Sequence, residues 1–197
     1  MQTRNVLKNA GIIAILSVAV AVGMNCLLFW VNLAQYSEGY QKAAEVLYAP
    51  SFAQQMMYSG IFIPIFEELL FRGLLFQVLR RWCSFRIAMV ISCLLFGVYH
   101  GNLVQFVYAA CCGIVLVYLC EKYKSVFIPI WSHMVMNMSS IILTRFAFFS
   151  WVQKSNGRML VVLIACISIS MMILCIFQKR DVTKVLKNYC KDVSDSI

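Results

Sequence analysis

Long apolar runs recur along this chain, and a helix that crosses a lipid bilayer needs about 20 mostly apolar residues. Six such spans are expected: Ala10–Ala34, Gln54–Leu79, Ile87–Tyr99, Leu103–Leu119, Val126–Thr144 and Met159–Phe177. A seventh segment, Glu38–Tyr48, reads as a short amphipathic helix at the interface, stopped near Pro50. The chain is 62% hydrophobic, with a mean hydropathy of +0.80. Soluble domains are nearer 45–50% apolar, so the excess points into a membrane.

The formal charge of +9 is gathered at the ends of the apolar runs rather than in a stripe, which is how a bilayer distributes charge and which argues against nucleic acid as a partner. The nine cysteines form no CxxC pair and no Cys/His cluster, so they read as small packing residues rather than a disulfide framework or a structural zinc site. Arg4 and Lys8 precede Ala10–Val18, and Ala19-Val20-Ala21 loosely resembles a signal cleavage site. The run continues through Phe29 and Trp30, however, far past a signal's core, so a retained helix is expected.

Lys and Arg set the orientation. With the N-terminus in the cytoplasm, 12 of them fall on the inner side and 4 on the outer side, so both termini are expected inside, in the cell membrane. Trp30, Trp82 and Trp151 lie near the proposed boundaries, as interface anchors do. The third span is short, roughly 21 Å of helix from Arg86 to His100, and the fourth begins just after Gly101-Asn102. Irregular backbone at that depth survives only when buried in protein or lining a wet cavity, so the turn predicts a cavity near His100.

Inside the spans the ionisable residues are Glu67, Glu68, Arg72, His100 and His133. Such groups cost about 2.5–3.5 kcal/mol each on insertion scales and usually mark function. Glu68 and Arg72 are i,i+4 and share a helix face, as do Phe96 and His100, and His133 and Asn137. Glu67 is rotated by about 100° from Glu68 and cannot use Arg72 equally well. Counted from the nearest inner basic residue, Glu67, His100, Asn137 and His133 lie roughly 20, 21, 20 and 14 Å deep, so they share one level within about two turns. Phe71 and Phe96 read as packing residues.

The three motifs, EExxxR at Glu67-Glu68-Leu69-Leu70-Phe71-Arg72, FxxxH at Phe96–His100 and HxxxN at His133–Asn137, are ordered on separate hydrophobic spans. Together they resemble the CPBP family, which comprises CAAX-processing proteases and bacteriocin-processing or bacteriocin-immunity (ABI) proteins. The resemblance covers roughly Gly60 to Thr144. It implies that Glu67 takes a proton from the attacking water, that His100 positions that water, and that His133 and Asn137 stabilise the oxyanion. Glu68 and Arg72 would form a supporting ion pair, with Arg72 also steering a substrate carboxylate. Glu68–Arg72 as a purely structural pair joining helices is the plain alternative, and either histidine alone would read as an interhelical hydrogen-bonding group.

The expected architecture is therefore all-α: a polytopic membrane protein of about six transmembrane helices with a polar cavity at bilayer depth. It would be a single integral membrane domain over residues 1–197, with a motif-bearing core at about 54–144. The expected activity is hydrolysis of peptide bonds in membrane-associated peptides or protein termini. No cofactor is expected; zinc on Glu67, His100 and His133 is the alternative, since two imidazoles and a carboxylate can hold it with an open position for water. A second function class is immunity or regulation against a bacteriocin without proteolysis. A third, a transport or scaffold subunit, is disfavoured because no internal repeat is visible.

Overall fold

The computed structural model describes residues 2–33 and 37–194, with side chains placed for 9–33, 37–47 and 49–179. Every element among the described residues is helical. In chain order these are α1 (Gln2–Trp30), α2 (Glu38–Tyr48), α3 (a continuous rod over 52–82), α4 (Phe85–Tyr99), α5 (Leu103–Tyr123), α6 (Phe127–Arg145), α7 (Phe148–Gln153) and α8 (Asn156–Ser194). Each expected span largely coincides with one of these helices, although α1 ends at Trp30, short of the expected end of the first span. Asn9–Trp30, Leu103–Tyr123, Phe127–Arg145 and Asn156–Lys179 are long and apolar enough to cross a membrane, and α4 is a shorter apolar helix. Ala34, the expected end of the first span, lies outside the described residues, as do the side chains of Arg4, Lys8, Arg180, Lys184, Lys187, Cys190 and Lys191.

The expected interfacial helix is α2, capped by Ser37, whose side chain accepts from the Tyr40 amide. The segment between Arg145 and Arg158 joins the last two expected spans. It contains the helix α7, whose Phe149 and Val152 are buried against Val22 and Cys26 of α1 and Met159 and Cys166 of α8. At the other end of the bundle, Ile13 and Leu16 of α1 pack with Leu119 and Tyr123 of α5, Ile128 of α6, and Ile173 and Phe177 of α8. Phe66, Trp82, Phe127 and Val161 are exposed on the outside of the bundle. Large apolar side chains in such positions suit a lipid surround. Trp30, Trp82 and Trp151 are exposed near helix ends.

The rod α3 is not uniformly α-helical: Tyr58–Phe62 and Leu69–Leu75 are π-helical. Its buried positions explain why. Gly60, Pro64, Glu68, Arg72 and Phe76 recur every fourth residue and all face inward. In an ideal α-helix four residues turn by about 400°, so such a series would drift by about 40° per step and end about 160° away. The wider π turns absorb that drift. They also free backbone carbonyls, which side chains then serve. Asn137 Nδ2 donates to Ser59 O at 2.9 Å, Gln77 Nε2 to Arg72 O at 3.3 Å, and Ser92 Oγ to Phe71 O at 3.5 Å.

The α4–α5 hairpin turns at Gly101, whose φ of +72° lies in the left-handed region that glycine adopts at no steric cost. Asn102 then caps α5 by accepting from the Gln105 amide at 2.9 Å. Further down, α4 and α5 approach so closely that a Cβ on Gly97 would lie 2.8 Å from Phe106 O and 2.8 Å from its ring. Gly97 therefore serves the close packing of α4 on α5, whereas Gly101 serves the turn. Gly97→Ala must displace backbone. It should lower stability by about 1–3 kcal/mol despite alanine's better helix propensity, as a reduced unfolding midpoint of the detergent-solubilised protein would register.

Candidate active site

The motif residues are delivered by three helices. Glu67 and Glu68 lie on α3 and are buried, with Arg72 one turn on; His100 ends α4; His133 and Asn137 share a face of α6. Glu68 is the junction of the set. Its Oε1 accepts from Arg72 Nη1 at 2.8 Å and from His133 Nδ1 at 2.8 Å, tying α3 to itself and to α6. Arg72 is fully buried, 4.2 Å above the Phe96 ring, with Nη2 3.5 Å from Gly113 O. Gly113 leaves the room, since a Cβ there would come within 3.0 Å of that nitrogen.

Glu67, turned away from this pair as its rotation requires, faces the two imidazoles. Its Oε1 is 3.8 Å from His100 Nε2, and its Oε2 is 3.7 Å from His133 Nε2. Both rings are held by their other nitrogen. His100 Nδ1 donates to Phe96 O at 2.9 Å, one helical turn back, and His133 Nδ1 donates to the Glu68 carboxylate. Phe96 is thus more than filler. Its carbonyl orients His100, its face carries Arg72, and its ring meets those of His100 and His133 edge-on at 5.0 and 5.9 Å.

These groups open on a cavity of about 420 Å³, into which Glu67, His100, His133 and Asn137 all project. One expectation needs correction. Arg72 does not line the cavity, and it lies buried against Glu68 and Phe96, so it cannot steer a substrate carboxylate there. Asn137 commits one amide hydrogen to Ser59 O, leaving only the other for a ligand. As for the zinc alternative, no group of three His, Cys, Asp or Glu side chains among the described residues is disposed to hold a metal ion. The cavity wall also contains Asn25, Tyr40, Gln105, Tyr108 and Ser140. Sequence reasoning passed over these because neutral polar residues inside an apolar run carry no charge signal. The i,i+7 spacing of Ser140 from His133 was the available clue.

A carboxylate set between two anchored imidazoles, at the wall of a cavity, defines the polar centre of a polytopic helical membrane protein. Residues 49–139 match the type II CAAX prenyl endopeptidase Rce1-like family. The chain is also 26% identical over 147 residues to YdiL of Bacillus subtilis (strain 168), a candidate membrane peptidase. That alignment covers 75% of this chain and 59% of the relative, so the chain spans less than two thirds of the relative's length. No solved structure matches. Over its motif-bearing part the chain is thus similar to CAAX-type membrane peptidases.

Because Glu68 compensates both Arg72 and His133, Arg72→Met should cost about 3–5 kcal/mol by leaving a buried carboxylate short of a partner. The double variant Glu68→Gln/Arg72→Met should lose clearly less than the sum of the single losses. Unfolding midpoints of the four proteins in a double-mutant cycle measure this, and additivity would contradict the coupling.

Proposed function

We propose that this protein is an intramembrane endopeptidase in which Glu67 activates the water that attacks a peptide bond. The observation that carries the proposal is the placing of Glu67 between His100 Nε2 and His133 Nε2, at 3.8 and 3.7 Å, on a cavity wall. Those separations are too long for direct hydrogen bonds, but a water about 2.8 Å from both partners fits across either. Glu67 accepts the water's proton as the oxygen attacks the carbonyl carbon, and later returns it to the departing amine. His100 orients the water through Nε2. His133, when its Nε2 carries a proton, and the remaining amide hydrogen of Asn137 donate to the oxyanion that develops. Glu68 and Arg72 act one step back, by fixing the His133 ring.

The substrates are peptides or protein termini at the membrane, in keeping with the family match and with the name of the relative. The reaction proceeds without a metal. The protein lies in the cell membrane with both termini in the cytoplasm, as the excess of Lys and Arg at the inner ends of the spans supports.

Three measurements check this reading. Glu67→Gln should lower peptide turnover by at least about 100-fold with an unchanged unfolding midpoint, whereas turnover close to that of the unaltered protein would refute the base assignment. Dialysis against a chelator should leave activity intact with substoichiometric metal in the sample; activity lost to the chelator and restored by zinc would replace the metal-free mechanism. In a cysteine-depleted background, Lys154→Cys should react with an impermeant maleimide added outside intact cells, and Lys124→Cys only after permeabilisation. The reverse pattern would invert the topology.

A further inference from the structure

The cavity has a second polar patch, outside the three motifs. Asn25 of α1, Tyr108 of α5 and Ser140 of α6 all line it. Asn25 Nδ2 donates to Ala21 O at 2.8 Å and to Ser140 Oγ at 3.4 Å, and the Tyr108 side chain lies beside Ser140, Asn25 and Cys112. Polar side chains from three helices converge here at membrane depth, where they are expensive unless they meet one another or a wet cavity. Here they do both.

Helix α6 fixes how far this patch lies from the reacting centre. His133, Asn137 and Ser140 stand at i, i+4 and i+7 on one face, and all three border the cavity. At 1.5 Å per residue, Ser140 is about 10 Å beyond His133 along the axis. An extended peptide advances about 3.3 Å per residue, so the patch is about three residues from a bond placed at Glu67.

Charge narrows what it can hold. Among the described residues lining the cavity there is one carboxylate, Glu67, and no Lys or Arg. A substrate carboxylate at the patch would find no Lys or Arg to pair with. An apolar side chain pressed against the patch would leave its spare lone pairs dry, at a cost comparable to a lost hydrogen bond. Leu28, Met136 and Ile141 offer apolar walls beside it, so an apolar group has better places to go. An uncharged side chain that both donates and accepts fits the patch itself.

We propose that Asn25, Tyr108 and Ser140 form a specificity subsite that binds an uncharged, hydrogen-bonding side chain of an extended peptide, about three residues from the cleaved bond. The proposal rests on the peptidase reading for the identity of the bond, and its test separates the two.

The test uses the full chain in lipid nanodiscs and a mixed-sequence library of peptides capped by acetyl and amide groups, read by mass spectrometry. In the unaltered protein, cut peptides should favour Asn, Gln, Ser or Thr over Leu about tenfold at one position about three residues from the cut. Ser140→Ala and Tyr108→Phe should erase that preference, with the loss in the KM of the polar peptides. In a second arm, peptides retained by the Glu67→Gln protein should show the same enrichment, and Glu67→Gln/Ser140→Ala should not. Cutting without a positional preference, or a preference unmoved by Ser140→Ala and Tyr108→Phe, overturns the subsite and leaves the peptidase reading standing. No cutting, but an enrichment that depends on Ser140, overturns the peptidase reading and keeps the subsite. Neither cutting nor enrichment overturns both.

Discussion

The structure turns on one carboxylate oxygen. Glu68 Oε1 accepts from a guanidinium on its own helix and from an imidazole on another, each at 2.8 Å, with Glu68 and Arg72 wholly screened from solvent. In a low-dielectric interior neither the acid nor the base is tolerable alone, so the two must come together as α3 packs into the bundle. Their meeting sets the rotation of α3, and the bond to His133 sets the distance to α6. Glu68 Oε2 and Arg72 Nε are buried with no hydrogen-bond partner, so the pair does not exhaust its own bonding capacity. The network is better understood as fixing geometry than as maximising stability.

The same pair explains the unusual backbone of α3. A buried series at every fourth residue, from Gly60 to Phe76, cannot stay on one face of an ideal α-helix. If α3 were regular, aiming Glu68 inward would swing Gly60 and Phe76 in opposite directions, and the rod would lose contact with the bundle at both ends. The π-helical stretches Tyr58–Phe62 and Leu69–Leu75 reconcile these demands. Their loosened carbonyls must then be satisfied inside the protein, because hydrocarbon offers no donor. That requirement recruits Asn137, Ser92 and Gln77, which bond to Ser59 O, Phe71 O and Arg72 O.

Much of this architecture is legible in the residues, because bilayer physics writes it in large letters. Hydrocarbon length marked the helices, and a helix boundary such as Tyr99 followed from the polar turn His100-Gly101-Asn102. The i,i+4 pairing of Glu68 with Arg72 and the separate facing of Glu67 followed from helical rotation alone. What escaped were features decided by packing. Nothing local distinguishes Tyr58–Phe62 from ordinary α-helix; only the every-fourth-residue burial does, and burial is not visible beforehand. Phe148–Gln153 is too short to announce itself and is held by contacts to α1 and α8. Arg72 looked available to a substrate because sequence cannot say that Phe96 and Glu68 enclose it.

The six polar motif residues consequently divide by what their polar atoms touch. Arg72 and Glu68 are consumed by each other and by His133, and Asn137 gives half of its donor capacity to a backbone carbonyl. Each histidine is anchored through Nδ1, to Phe96 O or to Glu68, which leaves Nε2 aimed at Glu67. Only Glu67 faces the cavity with neither oxygen within direct hydrogen-bonding distance of these imidazoles. Altering Glu68, Arg72 or Asn137 disturbs helix packing together with any chemistry, so an inactive variant at those positions says little about mechanism. The carboxyl-to-amide change at Glu67 removes a base and almost nothing else. It is therefore the position at which structure and reaction can be separated.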